Sequence, residues 1–593
     1  MTDNVSSWLI ESEKIDYLED SDDTDADPDY VDCANEHIEN EYDDSDDDFS
    51  ESNINNSIRS IIIPRSRSRS RSPLLEPSYY LGKDNITKWF FDPPSNKIRT
   101  RRRNIVLHLP GVKRVARDAV SILDCWKLYF TNSDVDNIVK CTNIYLDKLR
   151  QNYSNQSNLR ETSNIEINAL FGLLYLAGVI RSNHLNDLWS DDGLAPPYFR
   201  AVMSKARFYI LLKPLRFDDI GTRATRKQID KLAPIRTLFD NFVTHCQNNY
   251  TVGENVTIDE MLEDFRGRCS FRQYIPNKPN KYGIKIQALV DSRTFYTANM
   301  EVYVGTQPDG PYKCDNSPMS IVKRMVAPIS KTGRNVIMDN WYSSIPLSLD
   351  LLKNHNLTMV GTIRKNKREI PPCFLDTKKR TLNSSVFGYG EDILLTSYVP
   401  KKNKNVLLIS TMHEQGDIDP ESVEKKPEVI MFYNQTKGGV DVVDELKGEY
   451  SVSRISCRWS LTIFFSLMNI AGINSQIIYR ENTGKTLSRR EFLKNLGNEL
   501  TKPFMIYRLQ QPNLSISLRQ QIIKLSGHKT AVNVDQSSSS EYPVVDDANV
   551  DDLDWLFDSV LRLTPAIQQF EDEFEDEELE FYNDYHTKTT TTT

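Results

Sequence analysis

Cysteine is sparse and scattered. Cys33, Cys125, Cys141, Cys246, Cys269, Cys314, Cys373 and Cys457 stand far apart, and none forms a CxxC pair. That spacing argues against a zinc module and fits reduced thiols in the cytosol or nucleus. No run of 18 or more apolar residues occurs, so no transmembrane helix is expected. The opening "MTDNVSSWLIESEKIDYLEDSDD" lacks a basic start and an apolar centre, so it is not read as a signal peptide. Hydrophobic residues make up only 39% of the chain, which implies that part of it is unfolded. The length of 593 residues exceeds one domain and calls for about two to four folded units.

Acidic charge abounds, yet it is confined to the ends. Residues 1–51 carry 21 Asp/Glu and one Lys, and residues 541–593 carry 16 Asp/Glu and two Lys/Arg. Residues 52–540 hold 70 basic and 46 acidic side chains, a net +24 inside a chain whose total is −10. A basic body between acidic tails points to a polyanionic partner, although a solvated basic surface has the same composition. The run Arg65 to Ser72 alternates Arg and Ser and cannot pack. It suits nuclear import, phosphate contact, phosphorylation or a plain linker. A second basic cluster, "KIRTRRRN", spans Lys97 to Asn104.

The texture then changes twice. "NIEINALFGLLYLAGVI" and "APIRTLFDNFVTHCQNNY" show helical spacing of apolar residues. From 256, β-branched runs follow one another between turn residues: "ENVTIDEML", "YGIKIQALVDS", "TFYTANMEVYVG", "RNVIMDNWYS" and "LTMVGTIRKN". "SPMSIVKRMVAPIS" and "IPLSLDLLKNHN" between them read as helices. Three strands, a helix, a strand, a helix and a strand indicate a mixed α/β sheet with helices on its faces. "DILLTSYVP" and "NVLLISTMH" read as strands of a small inserted β subdomain, and "VIMFYNQ" as a return to the sheet before a helix. "WSLTIFFSLMNIAGINSQIIYREN" and "REFLKNLGNELTKPFMIYRLQ" read as long helices.

Carboxylates stand where these elements end. Asp259 follows "NVTI", Asp339 follows "NVIM", and Asp441 opens a helix after Lys437 and a double glycine, with Asp444 three residues on. An acid in a first helical turn also suits the helix dipole, and one strand-end Asp is ordinary. Three acids converging over a sheet would suit Mg²⁺, which takes carboxylates and substrate phosphates as ligands. Arg266, Arg268, Arg272, Lys278, Lys281 and Lys285 follow the first acid, with Tyr274 and Tyr282 among them. Arg364, Lys365, Lys367 and Arg368 follow "VGTI". Cations interleaved with aromatics suit a nucleic-acid track.

The segments "TIDEMLEDFRGRCSFRQYIPNKPNKYGIKI", "MDNWYSSIPL", "VGTIRKNKREIP", "YNQTKGGVDVVDEL" and "RWSLTIFFSLMNIAGINSQIIY" resemble the piggyBac transposase family over roughly residues 115–510. The resemblance implies an RNase H-like catalytic core interrupted by a β insertion and flanked by a helical DNA-binding and dimerisation region. It divides the chain into an acidic disordered tail (1–115), helical region (116–255), core (256–367), insertion (368–427), core again (428–450), helical region again (451–530) and a second acidic disordered tail (531–593). It makes Asp259, Asp339 and Asp441 ligands of Mg²⁺ or Mn²⁺, with Asp444 as a nearby fourth catalytic acid. The two glycines would let the chain turn sharply to present Asp441, with Lys437 facing phosphate. Trp459 in "CRWSL" matches a family aromatic near the DNA end, or else is a core tryptophan at a helix start. The implied reaction is cut-and-paste DNA transposition by a nuclear homodimer. Water nicks the element end, the freed 3′-hydroxyl forms a hairpin, and the reopened end joins TTAA. A cysteine-rich C-terminal domain, common in the family, has no counterpart after Cys457. A host-recruited DNA-binding protein without cutting activity is therefore the alternative. "DDANVDDLDWLFDSVLRL", with acids around Trp555, Leu556 and Phe557, suits a segment that folds onto a protein partner.

Overall fold

The computed structural model describes residues 78–93, 105–106, 108–150, 159–182, 184–190, 193–276, 278 and 280–527. The expected disorder of 1–77 and 531–593, the Arg-Ser run, the cluster at 97–104 and the stretch around Trp555 lie outside those residues.

Strands β1 (Tyr79–Leu81) and β2 (Lys88–Phe90) form a hairpin. β3 (Gly111–Val112) and β4 (Tyr250–Thr251) make a separate ribbon. β5 (Asn255–Asp264), β6 (Gln273–Tyr274) and β8 (Thr297–Val302) each pair antiparallel with β7 (Tyr282–Asp291). On its other edge β5 pairs in parallel with β9 (Asn335–Met338), which pairs in parallel with β10 (Thr358–Thr362). β11 (Ser385–Tyr389), β12 (Leu394–Lys401) and β13 (Lys404–Ser410) then extend the same sheet antiparallel, β13 against β10. β11 finally meets β2 through Tyr389 and Phe90. The strands of 368–427 thus continue the main sheet.

Around the sheet lie α1 (Asn132–Arg150), α2 (Asn164–Ile180), α3 (Arg236–Asn249), α4 (Pro318–Val326), α5 (Ile345–His355), α6 (Glu428–Thr436), α7 (Gly439–Glu449), α8 (Trp459–Thr483) and α9 (Arg489–Leu509). Ser163, Ser317, Ser344 and Ser488 cap α2, α4, α5 and α9 by accepting a backbone N–H, which satisfies an otherwise orphaned donor. The β-β-β-α-β-α-β order expected from 256 onward is present. α8 is apolar on all sides and long enough to cross a membrane, but 89% of its most apolar stretch is buried inside the protein. Its Phe464 touches Phe130, Phe171 and Phe217, so helices from both flanks of the sheet share one core. α2 and α9 cross at two glycines. A Cβ on Gly172 would lie 2.8 Å from the Gly497 carbonyl, and one on Gly497 would lie 2.6 Å from Leu176 Cγ.

Two expectations fail. Residues 428–436, read as a strand, form α6, because Pro427 and Glu428 start a helix whose apolar residues reach the sheet on one side. Residues 78–93, assigned to the disordered tail, are ordered: Trp89 is fully buried and its indole N–H donates to the Glu369 carbonyl at 2.8 Å.

Candidate active site

The first two acids are neighbours by register. β5 and β9 run parallel with Ile258 beside Met338, and the residue after each is an aspartate, Asp259 within β5 and Asp339 just past β9. Adjacent strands lie about 4.8 Å apart, so Asp339, just past the end of β9, comes beside Asp259, which lies in the middle of β5 and not at its end as expected. Asp339 Oδ1 accepts from the backbone N–H of Trp341 at 2.9 Å and of Tyr342 at 3.3 Å, an Asx turn that ends β9 and fixes the side chain. Asp259 Oδ1 accepts from the Glu260 N–H at 2.8 Å.

The third acid arrives on α7. The Thr257 hydroxyl donates to the Thr436 carbonyl at 2.9 Å, tying the end of α6 to β5 two residues before Asp259. A Cβ on Gly439 would fall 2.7 Å from that same hydroxyl, so only glycine lets α7 begin this close to the strand. The double glycine therefore serves close approach and not a sharp turn: Gly438 has an ordinary φ of −79°. Asp441 lies in the first turn of α7, exposed above the sheet.

The electrostatics bear on Asp259 above all. Burial, then the charges of Glu260, Asp339 and Asp441, push the Asp259 carboxyl up to about 8. Burial and Glu260 raise Asp339 as well. Tyr433, on α6, feels all three. Its phenol is pushed up to about 12 by burial and by Asp339, Asp259 and Asp441, against a hydrogen bond with Thr362. The sequence reading missed Tyr433, although its spacing of four from Lys437 and eight from Asp441 becomes visible once 428–436 is helical. Asp444 has its own cation. It pairs with Lys447 at 2.8 Å, Lys447 also bonds Glu263, and Ser466 donates to Glu263 at 2.7 Å. This network fastens α7 to β5 and α8. Among the described residues no three His, Cys, Asp or Glu side chains are gathered tightly enough to hold a metal ion. The donor set is nonetheless all carboxylate oxygen, the chemistry of a hard divalent cation, and the raising of Asp259 by burial and the neighbouring acids is what a bound cation would relieve.

The basic residues divide into exposed and structural. Arg266, Arg268 and Lys281 are exposed beside the Tyr274–Tyr282 ring pair, whose centroids are 4.8 Å apart. Arg272 stacks on Tyr282 at 5.2 Å and donates to the Arg266 carbonyl at 2.8 Å, so it shapes the loop that presents its neighbours. Lys278 lies within the field of Asp444. Lys285, expected on the phosphate track, is buried instead: it pairs with Glu260 at 3.5 Å and sits 4.4 Å above the Trp341 ring. Lys365 and Arg368 are exposed, Arg364 and Lys367 half-buried, on a loop tied to the β1–β2 hairpin through Lys83 Nζ and the Lys365 carbonyl at 2.8 Å. Lys437 is exposed at the end of α6, 5.8 Å from the Tyr433 ring centre. Trp459 is buried edge-on against Phe271 at 5.0 Å, as a core tryptophan.

Comparison with known proteins bears on this arrangement. Residues 123–476 match the family described as Transposase IS4. "PiggyBac transposable element-derived protein 3" of Homo sapiens is 24% identical over 362 residues, 58% of this chain and 58% of that protein. "PiggyBac transposable element-derived protein 5" of Homo sapiens is 21% identical over 418 residues, 66% of this chain and 77% of that protein. A solved structure described as a piggyBac transposase synaptic complex with hairpin DNA is 39% identical, with a TM-score of 0.68, covering 73% of this chain and 91% of that one.

Proposed function

The chain belongs to the piggyBac family of transposase-related proteins, and from that premise we propose that it is a DNA transposase of the cut-and-paste type. The observation that carries the reading is the in-register pair Asp259 and Asp339 with Asp441 brought over β5. The strand order β8-β7-β5-β9-β10, with β7 antiparallel to β5, supports an RNase H-like core for residues 256–367 and 428–450. Residues 116–255 and 451–530 are then the helical DNA-binding and dimerisation region of a nuclear homodimer.

Asp259, Asp339 and Asp441 would hold Mg²⁺ or Mn²⁺. Such an ion, when bound, helps water attack a phosphodiester and stabilises the leaving oxygen. The chain's own part is to position. The Asx turn at Asp339 and the Gly439–Thr257 contact fix the acids. Lys285 neutralises Glu260 beneath them. Tyr433 stays protonated at neutral pH and can donate a hydrogen bond to an oxygen above the acids. Arg266, Arg268, Lys281, Lys365, Arg368 and Lys437 would follow the DNA backbone. Hairpin formation and TTAA joining follow for this chain from the family premise.

The test is to incubate the purified protein with DNA carrying its element end next to TTAA and to read nicks and hairpins on a denaturing gel. Mg²⁺-dependent products from the natural protein, and none from Asp339→Asn bound to the same DNA, are expected. Equal cleavage by Asp339→Asn would remove the aspartate site from the reaction.

A further inference from the structure

A cavity of about 160 Å³ lies where the β7–β8 turn, α7, the end of α8 and the start of α9 meet. That is well above the roughly 10–15 Å³ needed to hold one water. Its lining includes apolar Leu446, Ile473 and Ile477 and the cations Arg480, Lys485 and Arg489. Arg489 is the unusual member. Its Nε and Nη1 are buried and make no hydrogen bond. Its guanidinium lies over Gly472, where an added Cβ would come within 4.0 Å of Nη2. The carboxylate whose field reaches it, Glu449, is drawn to Arg181 at 3.5 Å. Burial pushes the guanidinium down to about 10, so the fold bears a cost for keeping it charged. Arg489 as a whole is half-buried, but two buried guanidinium donors without a partner are expensive, and a ligand in the cavity would complete them.

The planar fork of an arginine fits the oxygens of a phosphate, and the two further cations favour the same charge. Leu446 stands on α7, five residues beyond Asp441, about 7.5 Å along the helix axis. Cavity and Asp441 therefore share one helix. We propose that this cavity is a phosphate-binding site, with Arg489 as its inner donor and Arg480 and Lys485 as outer cations, and that it takes a DNA backbone phosphate. The second half rests on the DNA-directed function proposed above.

The test uses the full chain, as the natural protein and as Arg489→Leu, Arg489→Lys and Lys485→Gln. Melting temperature is followed against inorganic phosphate, and affinity for duplex DNA is followed against salt. The expected Arg489→Leu protein melts at or above the natural temperature, because two buried donors without a partner have gone, and no longer gains stability from phosphate. Its duplex affinity falls about five- to tenfold, with a salt slope reduced by about one. Arg489→Lys keeps charge without the fork and falls between. If Arg489→Leu melts lower and binds phosphate and DNA as before, the arginine is structural and the proposal is overturned. Loss of the phosphate effect with unchanged DNA affinity overturns DNA as the source. If Arg489→Leu does not fold, Lys485→Gln carries the test, and equal phosphate and DNA binding by that variant counts against the site. Asp339→Asn protein is expected to keep all of this binding, so failure here is separable from failure of the cleavage reading.

Discussion

Among single residues, the three aspartates stood out in the sequence because Asp259 and Asp339 each follow a short β-branched run and Asp441 follows a double glycine, although each position alone is ordinary for an acid. The burial of Lys285 was not legible. In sequence it is one more cation in a basic, aromatic-rich stretch, and only the pairing of β7 with β5 reveals that it is buried beside Glu260. Trp459 was open for a similar reason, since a tryptophan at a helix start suits either core or DNA until its neighbour Phe271 is known. The Lys285–Glu260 pair makes a sharp expectation. Lys285→Met leaves a buried carboxylate without its cation and should cost about 3–5 kcal/mol. Adding Glu260→Gln should restore most of that, because the stranded charge is then gone. Denaturant midpoints of the two variants decide it, and an equal loss in both would show that packing, not charge, is what Lys285 supplies.

Among elements, the alternating strand order from 256 to 362 was readable because short β-branched runs between turn residues leave little choice. "VIMFYNQ" was misread because an apolar run of that length does not distinguish a strand from a helix, and the start signal Pro427-Glu428 is weak by itself. The ordering of residues 78–93 was unreadable, since that hairpin is held by distant partners: Trp89 on Glu369 and Phe90 beside Tyr389. The α2–α9 crossing gives a test at this scale. Gly497→Ala would gain about 1 kcal/mol in helix propensity. Its new Cβ would lie 2.6 Å from Leu176 Cγ and 3.0 Å from the Gly172 carbonyl, and backbone cannot give way as a side chain can. Overpacking of this kind costs about 1–3 kcal/mol or more, so a net loss is expected. A raised melting temperature would mean that the helices separate freely at that point.

Over the whole molecule, charge is divided so that the full chain carries −10 while residues 52–540 carry +24. The trimmed chain 52–540 should therefore bind duplex DNA more tightly than the full chain at low salt. The gap should narrow as salt rises, because both the attraction and the opposing tail charge are screened. Equal affinities at low salt would show that the acidic ends leave DNA binding untouched. In the proposed reading, three aspartates from distant parts of the chain hold one cation and Asp444, paired with Lys447, contributes little to it. Mn²⁺ binding, followed by the loss of free-ion electron paramagnetic resonance signal, tests this without requiring a DNA substrate. Asp259→Asn, Asp339→Asn and Asp441→Asn should each weaken binding strongly, while Asp444→Asn, whose partner is Lys447, should bind nearly as the natural protein does. Natural-strength Mn²⁺ binding by the first three variants, or loss in Asp444→Asn equal to theirs, would contradict the site.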